Sequence, residues 1–264
     1  MGISFEENVQ IGKIPATPDF NLFDARVFVP QAYESIIASS RKSGFPISYI
    51  QEQDGMLVQN LIPIKKTENT QISSSSKSNL ELHTETAFHP FKPDYIFLLC
   101  LRGDENAATT YSVADDFLSD LDEQTLQSLQ EPNYLTSVDD SFKTGEEETI
   151  DLRLSVLRPA PRGGWEVTYD KYAMRGIDDE SQRALDLLTK SITASLRSTV
   201  LKSGQMLTID NSKTVHGRSS FIPRYDGTDR WLLRTLVVRN LPPQQHRSGS
   251  LITTSFRKTV SSFA

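Results

Sequence analysis

One uninterrupted apolar run places the strongest constraint on how this chain can fold. The segment YIFLLCLRG occupies residues 95–103 and has the length of a β-strand. A strand that faces water on one side alternates apolar and polar residues, whereas a run without alternation is typical of a strand buried on both faces. We therefore expect this segment to form a strand that is covered on both faces.

Shorter segments of strand and helix character lie on either side of that run. PISYIQ and MLVQNLIPI flank Asp54-Gly55, a dipeptide typical of a hairpin turn. Helical periodicity is found in 29–45, 115–130 and 181–202. Many short strands, few helices and no regular alternation between them predict an α+β protein around a sandwich or jelly roll. The other strand segments are the beginning of LELHTETAFHP, then ATTYSV, QMLTID, WLLRTLVVRN and SLITTSF.

The composition excludes several classes of protein. Of the 264 residues, 37% are hydrophobic and 23% are charged, which fits a folded chain, and we expect a single domain over 1–264. No apolar run approaches the ~18–20 residues of a membrane-spanning helix, and no signal peptide is visible. The net charge of −6 argues against a nucleic-acid partner. Cys100 is the only cysteine, so no internal disulfide forms and a cytoplasmic location is expected.

Two polar stretches lack apolar periodicity and are predicted to be loops. KKTENTQISSSSKSN occupies 65–79, and the acidic SVDDSFKTGEEET occupies 137–149. Such segments serve as linkers in some proteins, and in others they close over a bound substrate. We predict that both stretches are flexible lids, with a linker as the alternative for 65–79.

Any metal site built on imidazole must draw on four histidines, His83, His89, His216 and His246. Residues two apart in a strand point to the same face, so His83 and Glu85 project together. One imidazole and one carboxylate can then take adjacent positions on a metal ion. On its own, however, a His-x-Glu triplet is more often a polar strand face in water.

A distant histidine completes a ligand set. The segment IDNSKTVHGRS (209–219) places His216 after a strand-like stretch and a turn. Two histidines and one carboxylate cover one face of an octahedral ion and form the facial triad of non-haem Fe(II) oxygenases. The same ligands suit catalytic zinc, but the sequence lacks an HExxH helix. His89 precedes Pro90, which breaks the strand, and we expect it at the rim of the site or behind the residues that line it, without a catalytic role.

Two arginines lie in the last long strand segment, FIPRYDGTDRWLLRTLVV (221–238). Arg230 and Arg234 are four residues apart, so they share one face with Leu232 between them. Guanidinium groups on an otherwise apolar face are costly unless they are paired, and carboxylates bind them bidentately. The segment predicts either salt bridges on an exposed sheet face or a site for carboxylate ligands.

Two blocks of sequence closely resemble the clavaminate synthase-like branch of the Fe(II)/2-oxoglutarate-dependent oxygenases, within the TauD-like superfamily. The blocks are HTETAFHPFKPDYIFLLCLRGD (83–104) and DNSKTVHGRSSFIPRYDGTDRWLLR (210–234). They occur in the family's order, and a looser resemblance extends over about 80–240. The branch includes hydroxylases of free amino acids. The resemblance implies a double-stranded β-helix, a jelly-roll barrel with flanking helices.

The resemblance also implies a metal centre and a reaction type. His83, Glu85 and His216 match the Fe(II) ligands. Enzymes of this family use Fe(II), 2-oxoglutarate and O2, and they release succinate and CO2. Halogenating relatives replace the carboxylate ligand with a small residue, so the presence of Glu85 indicates hydroxylation.

Further residues match ligand-binding positions of the family. Arg230 matches the arginine that holds the 5-carboxylate of 2-oxoglutarate. Thr109 falls where the 2-oxoglutarate-binding threonine is expected, with Thr110 as the alternative. Arg234 matches the residue that grips the α-carboxylate of an amino-acid substrate, and Glu85 can also face the substrate's amino group.

The remaining candidate concerns the substrate side chain. Asp170, in TYDKYAMRGIDD (168–179), resembles acidic residues that meet the substrate in arginine-hydroxylating relatives, and a turn or helix-cap aspartate is the alternative. We predict hydroxylation of an unactivated C–H of a free L-amino acid, with lysine or arginine favoured, or of a close derivative. Two alternatives stay open: desaturation or cyclisation in natural-product biosynthesis, and a catalytically silent metal-binding barrel.

Overall fold

Two main β-sheets and five helices form the described part of the molecule. The structure is a computed structural model, and it describes residues 2–139, 142, 152–161 and 163–254. The strands are β1 (Ile3–Glu6), β2 (Phe45–Tyr49), β3 (Gln59–Leu61), β4 (Leu80–His83), β5 (Tyr95–Arg102), β6 (Thr109–Val113), β7 (Tyr134–Thr136), β8 (Leu152–Leu154), β9 (Leu157–Pro159), β10 (Trp165–Val167), β11 (Arg175–Gly176), β12 (Arg197–Thr199), β13 (Met206–Asp210), β14 (Thr214–Arg218), β15 (Trp231–Val238), β16 (Arg247–Ser248) and β17 (Leu251–Ile252). The helices are α1 (Ala25–Phe28), α2 (Pro30–Ser40), α3 (Ala114–Phe117), α4 (Glu123–Gln130) and α5 (Asp179–Ala194). The predicted α+β class is confirmed.

The larger sheet has the strand order β1-β13-β5-β15-β2-β17-β16, and β3 also pairs with β15. At its centre β5 and β15 pair antiparallel, with Leu233 opposite Leu99. All eight residues of β15 and the six inner residues of β5 are buried. The prediction that 95–103 forms a strand covered on both faces is therefore confirmed.

Alternate residues of β5 face opposite sides of the larger sheet, as the two-residue period of a strand requires. On one side, Phe97 joins a hydrophobic cluster with Ile36 and Ile37 of α2. On the other side, Ile96 and Leu98 line a cavity. One face of the sheet thus carries a helix, and the opposite face forms a wall of the cavity.

The smaller sheet, with the order β12-β6-β14-β4, forms the opposite wall. Leu82 of β4 and Val215 of β14 belong to a hydrophobic cluster with Leu188 of α5. Their neighbours His83 and His216 point to the other face and line the cavity. The cavity lies between the inner faces of two sheets, which is the predicted jelly-roll arrangement.

The predicted hairpin around Asp54-Gly55 is wrong. β2 and β3 do not pair with each other, because both pair with β15, which is long enough to take them end to end. β3 pairs with 232–234 and β2 with 236–238. The connection turns through Gln53 and Asp54, whose φ angles are 43° and 53°.

Two of the predicted helices differ from expectation. The segment 115–130 forms α3 and α4, because the side chain of Asp122 caps the start of a second helix. The segment 181–202 is helical only in its first part, and 197–199 forms β12, which pairs with β6. Among the described residues, no helix has the length and apolarity that crossing a membrane requires.

The two predicted lids are described to different extents. Most of 137–149 lies outside the described residues, and its role stays a prediction. The segment 65–79 borders the cavity and is attached to β14 through Arg218, which donates hydrogen bonds to Oγ of Ser75 (2.8 Å) and to the carbonyl oxygen of Ser78 (3.3 Å). Movement of 65–79 over a substrate also stays a prediction.

Candidate active site

The two histidines of the predicted triad face each other across neighbouring strands. β4 ends at His83, and His216 of β14 lies opposite it in the antiparallel register. Their ring centroids are 4.6 Å apart. Nδ1 of His83 lies 2.7 Å from the carbonyl oxygen of Glu81. When Nδ1–H donates to that oxygen, Nε2 of His83 keeps its lone pair for a metal.

Glu85 reaches the same point although it lies beyond the end of β4. The pairing of β4 with β14 ends at His83, and the chain then turns through Thr86, whose φ is 49°. The backbone N–H of Glu85 donates to Oδ1 of Asn211 (2.7 Å), and Nδ2 of Asn211 donates to the carbonyl oxygen of Glu85 (3.2 Å). Asn211 is fully buried. These two hydrogen bonds, rather than strand pairing, hold the backbone of Glu85.

His83, Glu85 and His216 form one set of metal donors. Each offers one ligand atom, and these atoms lie within 4.8 Å of one another. Burial lowers the pKa of His216, with His83 adding to the effect. Burial would raise the pKa of Glu85, but Arg234 and the two histidines lower it below its usual range. A neutral imidazole beside an ionised carboxylate is the state that binds a divalent cation, so these residues fit Fe(II).

Arg230, the predicted anchor for 2-oxoglutarate, lines the same cavity. It lies just before β15 and is 7% exposed, and burial lowers its pKa to about 10. Within the described ranges, no carboxylate lies at ion-pairing distance from its guanidinium group. A buried cation without a counterion is costly. The position is therefore suited to a ligand that carries a carboxylate.

Thr109 lines the cavity on the smaller sheet, opposite the larger one. Thr109 is 3% exposed and lies opposite Arg218 in the register of β6 with β14. Thr110 lies opposite Gly217, and its side chain points to the other face of the sheet. Of the two threonines, only Thr109 borders the cavity that the described residues enclose. The geometry favours Thr109 over Thr110 as a ligand-binding hydroxyl.

Arg234 is held by three polar side chains. Its Nη1 donates to Oε1 of Glu85 (2.9 Å), its Nη2 donates to Oε1 of Glu52, and its Nε donates to Oε1 of Gln59 (2.7 Å). Burial would lower the pKa of Arg234, but Glu52 and Glu85 raise it above its usual range. The residue predicted to grip a substrate carboxylate is therefore charged and paired inside the cavity.

Asp170 lies in a turn and also lines the cavity. Its Oδ1 accepts hydrogen bonds from the backbone N–H groups of Tyr172 and Ala173, both at 2.8 Å. Asp170 is 8% exposed and forms an isolated β-bridge with His83. Asp170 can therefore be a turn residue and also contact a substrate, because the turn engages only Oδ1 of its two carboxylate oxygens in the described hydrogen bonds.

Sequence reasoning missed three residues of the site, Glu52, Gln59 and Asn211. Glu52 lies in the turn after β2, where no motif marks it. Gln59 and Asn60 stand out as a polar pair within the apolar MLVQNLIPI, which is the signal of a buried polar role. Asn211 is the second residue of the second block, but its contact with Glu85 depends on the fold.

His89 and Cys100 belong to the hydrophobic interior rather than to the site. Of the two positions predicted for His89, the rim is wrong, because His89 is 3% exposed and does not line the cavity; its ring centroid lies 4.7 Å from that of Tyr49. Burial lowers the pKa of His89 to about 3. Cys100 is fully buried, and burial raises its pKa to about 11.

Comparison with known proteins identifies relatives over most of the chain. Residues 38–236 match the family described as taurine catabolism dioxygenase TauD, TfdA family. An L-lysine 3-hydroxylase from Catenulispora acidiphila is 34% identical over 247 residues, which are 91% of this chain and 68% of that protein. An L-ornithine/L-arginine 3-hydroxylase from the same organism is 34% identical over 72% of this chain. The chain spans 62% of the length of that second relative.

Solved structures resemble the whole fold. Asparagine oxygenase in complex with Fe(II), 2S,3S-3-hydroxyasparagine and succinate superposes with a TM-score of 0.85 at 28% identity, over 96% of this chain and 80% of that one. The non-haem iron oxygenase OrfP in complex with Fe, succinate and (3S)-hydroxy-L-Arg gives a TM-score of 0.85 at 31% identity, over 96% and 82%. These folds are double-stranded β-helices. The chain belongs to the TauD/TfdA family of Fe(II)/2-oxoglutarate-dependent oxygenases.

Proposed function

We propose that this chain hydroxylates an unactivated C–H bond of a free L-amino acid or a close derivative, with L-lysine or L-arginine favoured. 2-Oxoglutarate and O2 are consumed, and succinate and CO2 are released. One observation carries the proposal: Arg230, a buried cation without a carboxylate partner among the described residues, lines the same cavity as the metal donors. An anionic cosubstrate beside a metal supplies the missing counterion.

His83, Glu85 and His216 would hold Fe(II), which supplies the oxidising chemistry together with 2-oxoglutarate and O2. The protein's contribution is to keep the three donors in place. The carbonyl oxygen of Glu81 orients the ring of His83, and Asn211 holds the backbone of Glu85. The carboxylate of Glu85 fills the position that halogenating relatives leave open, which favours hydroxylation.

Arg230 and Thr109 would bind 2-oxoglutarate. The guanidinium of Arg230 takes the 5-carboxylate, and the hydroxyl of Thr109 donates a hydrogen bond to the same end. Ile96, Leu98 and Leu232 line the adjoining wall, and their apolar surface excludes water from the bound cosubstrate.

Arg234 would bind the α-carboxylate of the amino acid, and Glu85 would face its α-amino group. The substrate side chain then extends along a wall that includes Asp139 and Asp170, together with Glu81, whose carboxylate forms a salt bridge with Lys171. A wall with several carboxylates favours a cationic side chain. This charge pattern, together with the lysine and ornithine/arginine relatives, supports lysine or arginine as the substrate.

A cytoplasmic location is also proposed for the enzyme. The chain has a single cysteine, and that residue, Cys100, is buried in the hydrophobic interior. A protein of this kind depends on no disulfide and suits a reducing compartment. Fractionation of the source cells would test the location.

A substrate screen tests the proposal. The purified chain is incubated with Fe(II), ascorbate, 2-oxoglutarate and each of the twenty L-amino acids, and succinate and product masses are measured. We expect lysine or arginine to stimulate succinate formation and to gain one oxygen atom. Loss of two hydrogens would indicate desaturation or cyclisation instead. Absence of 2-oxoglutarate consumption under every condition, in iron-loaded protein, would indicate a catalytically silent barrel.

A further inference from the structure

Arg218 is a buried cation of the cavity that the proposed function does not use. It lies two residues after His216 on the same face of β14 and opposite Thr109 of β6, and all three line the cavity. Arg218 is 5% exposed, and within the described ranges no carboxylate forms an ion pair with it. The charged side chain that acts on it there is Arg230, which carries the same sign. The cavity therefore holds two buried guanidinium groups without a counterion for either.

Neutral oxygen atoms take the hydrogen bonds of Arg218. Its Nη2 donates to Oγ of Ser75 (2.8 Å) and to the carbonyl oxygen of Ser78 (3.3 Å). Its Nη1 donates to the carbonyl oxygens of Ser219 (3.1 Å) and Ser76 (3.5 Å). Nε of Arg218 is buried and has no hydrogen-bond partner among the described residues. These contacts hold the guanidinium group in place, but they leave its charge unneutralised.

Three of these four contacts attach Arg218 to the segment 65–79. The run of four serines in that segment is not a solvated linker, because residues 74–76 are buried. Residues 71–73 line the cavity directly. One wall of the cavity is thus held by a cation whose charge the described part of the protein does not balance.

The two like charges make the attachment of 65–79 sensitive to an anion. Arg218 and Arg230 repel each other most strongly when the segment is attached and excludes water, and water that enters beside a detached segment would screen them. A carboxylate bound at Arg230 offsets this repulsion and attracts Arg218. A ligand shifts a conformational equilibrium by its differential affinity for the two states, so this carboxylate favours the attached segment.

We propose that Arg218 is a positioning residue that couples the binding of 2-oxoglutarate to the placement of residues 71–73. The 5-carboxylate on Arg230 stabilises the charge of Arg218, and Arg218 then holds 71–73 as a wall of the cavity. This inference rests on the proposed function, because it takes the 5-carboxylate to bind at Arg230. The coupling is reciprocal, so the attached segment also strengthens the binding of 2-oxoglutarate.

Hydrogen exchange at Phe221 reports the attachment without turnover. The backbone N–H of Phe221 donates to the carbonyl oxygen of Ser76 (2.8 Å), so it exchanges when the segment detaches. Exchange is measured by mass spectrometry without O2, in protein loaded with Fe(II), before and after addition of a saturating 2-oxo acid. The two acids are 2-oxoglutarate and 2-oxopentanoate, which carries a methyl group in place of the 5-carboxylate. Calorimetry establishes the saturating concentrations.

We expect 2-oxoglutarate to slow the exchange of Phe221 at least about fivefold in the wild-type protein, and 2-oxopentanoate to slow it less than about twofold. Arg218→Gln removes the charge, and its exchange should respond less than about twofold to 2-oxoglutarate. Arg218→Lys keeps the charge and should retain most of the response. Arg224→Gln, at an exposed arginine outside the cavity, is the matched control and should respond as the wild-type protein does. A purely structural role for Arg218 would speed exchange in Arg218→Gln equally with and without 2-oxoglutarate, and the unchanged ratio would overturn the inference.

The outcomes separate this inference from the proposed function. If 2-oxoglutarate binds and Arg230→Met weakens that binding, but exchange at Phe221 does not slow, only the role of Arg218 is wrong. If Arg218→Gln does not fold, the wild-type protein decides, and equal slowing by the two oxo acids overturns the inference. If 2-oxoglutarate does not bind at Arg230, the proposed function and this inference fall together.

Discussion

Arg230 and Arg234 line one cavity four residues apart, yet only Arg234 is paired with carboxylates. Glu52 and Glu85 neutralise Arg234, whereas Arg230 has no such partner within the described residues. An unpaired cation suits a ligand that brings net negative charge, such as the far end of 2-oxoglutarate. A paired cation suits a ligand that brings both charges, such as an amino acid. We propose that the two arginines thereby separate the two substrates.

The first prediction concerns Arg230. Arg230→Met should weaken 2-oxoglutarate binding by about 3 kcal/mol, because a carboxylate of the ligand loses its charged partner. The same change should stabilise the ligand-free protein by about 1 kcal/mol or more, because a buried cation without a counterion is removed. Calorimetric titration measures the first effect, and urea unfolding without ligands measures the second.

Arg224→Met is the matched control for that experiment. Arg224 is exposed, and its Nη1 contacts Oγ1 of Thr228 (3.3 Å), outside the cavity. We expect this variant to change neither 2-oxoglutarate affinity nor stability by more than about 0.5 kcal/mol. Unchanged affinity for 2-oxoglutarate in Arg230→Met would show that the role assigned to Arg230 is wrong.

The second prediction concerns the metal donors. His216→Ala removes one of three donors and should weaken binding of Co(II), a spectroscopic substitute for Fe(II), by at least about 100-fold. The visible absorption of the bound cobalt reports occupancy without relying on turnover. His246 lies outside the donor set, so His246→Ala is the control variant and should bind cobalt as the wild-type protein does. Equal cobalt affinity in both variants would contradict the proposed site.

Much of the site could be predicted because its residues lie in two long blocks of characteristic sequence. His83 and His216 stand directly opposite each other in neighbouring strands, and the sequence resemblance alone predicts that they share one metal ion. The role of Asn211 could not be predicted. Because β4 ends at His83, the backbone of Glu85 has no strand partner, and the side chain of Asn211 supplies its hydrogen bond instead. The predicted convergence of His83 and Glu85 is confirmed. The predicted cause, a single strand through both residues, is wrong, because β4 ends at His83.

The surroundings of Arg234 were less predictable. The residue's need for carboxylates was evident, but Glu52 and Gln59 meet it only because β2 and β3 pair end to end with β15. A hairpin at Asp54-Gly55, which the local sequence favours, would have separated them. Long-range pairing overrode a local turn signal here. The cap at Asp122, which divides a predicted helix, is a local signal that the apolar periodicity concealed.

The third prediction concerns pH. Burial lowers the pKa of His89 to about 3, against about 6.5 in an unfolded chain. Between these values the unfolded state binds a proton that the folded state does not, so this contribution to stability is present above pH 6.5 and is lost as the pH falls. At pH 5 the loss is about 2 kcal/mol.

The variant His89→Phe isolates this effect. Its free energy of unfolding in urea should fall by about 2 kcal/mol less than that of the wild-type protein when the pH is lowered from 7 to 5. The comparison cancels the other titrating groups, which both proteins share. Identical pH dependence in the two proteins would mean that His89 is not held neutral by burial.

The fourth prediction concerns the segment 65–79. Arg218 attaches it to β14 through Ser75 and Ser78, so Arg218→Gln should speed tryptic cleavage at Lys65, Lys66 or Lys77 several-fold. In the wild-type protein, 2-oxoglutarate and the amino acid together should slow that cleavage if the segment closes as a lid. Arg224→Gln serves as the control. Cleavage that is insensitive to both the variant and the ligands would leave 65–79 as an ordinary surface loop.

The central claim is that three donors far apart in the chain bind one ferrous ion beside Arg230. A crystal structure of the protein grown without O2 in Fe(II) and 2-oxoglutarate, with anomalous data at the iron edge, tests it directly. We predict a single strong iron peak coordinated by His83, Glu85 and His216, with the 5-carboxylate of 2-oxoglutarate on Arg230. An iron peak elsewhere, or 2-oxoglutarate bound away from Arg230, would contradict the claim.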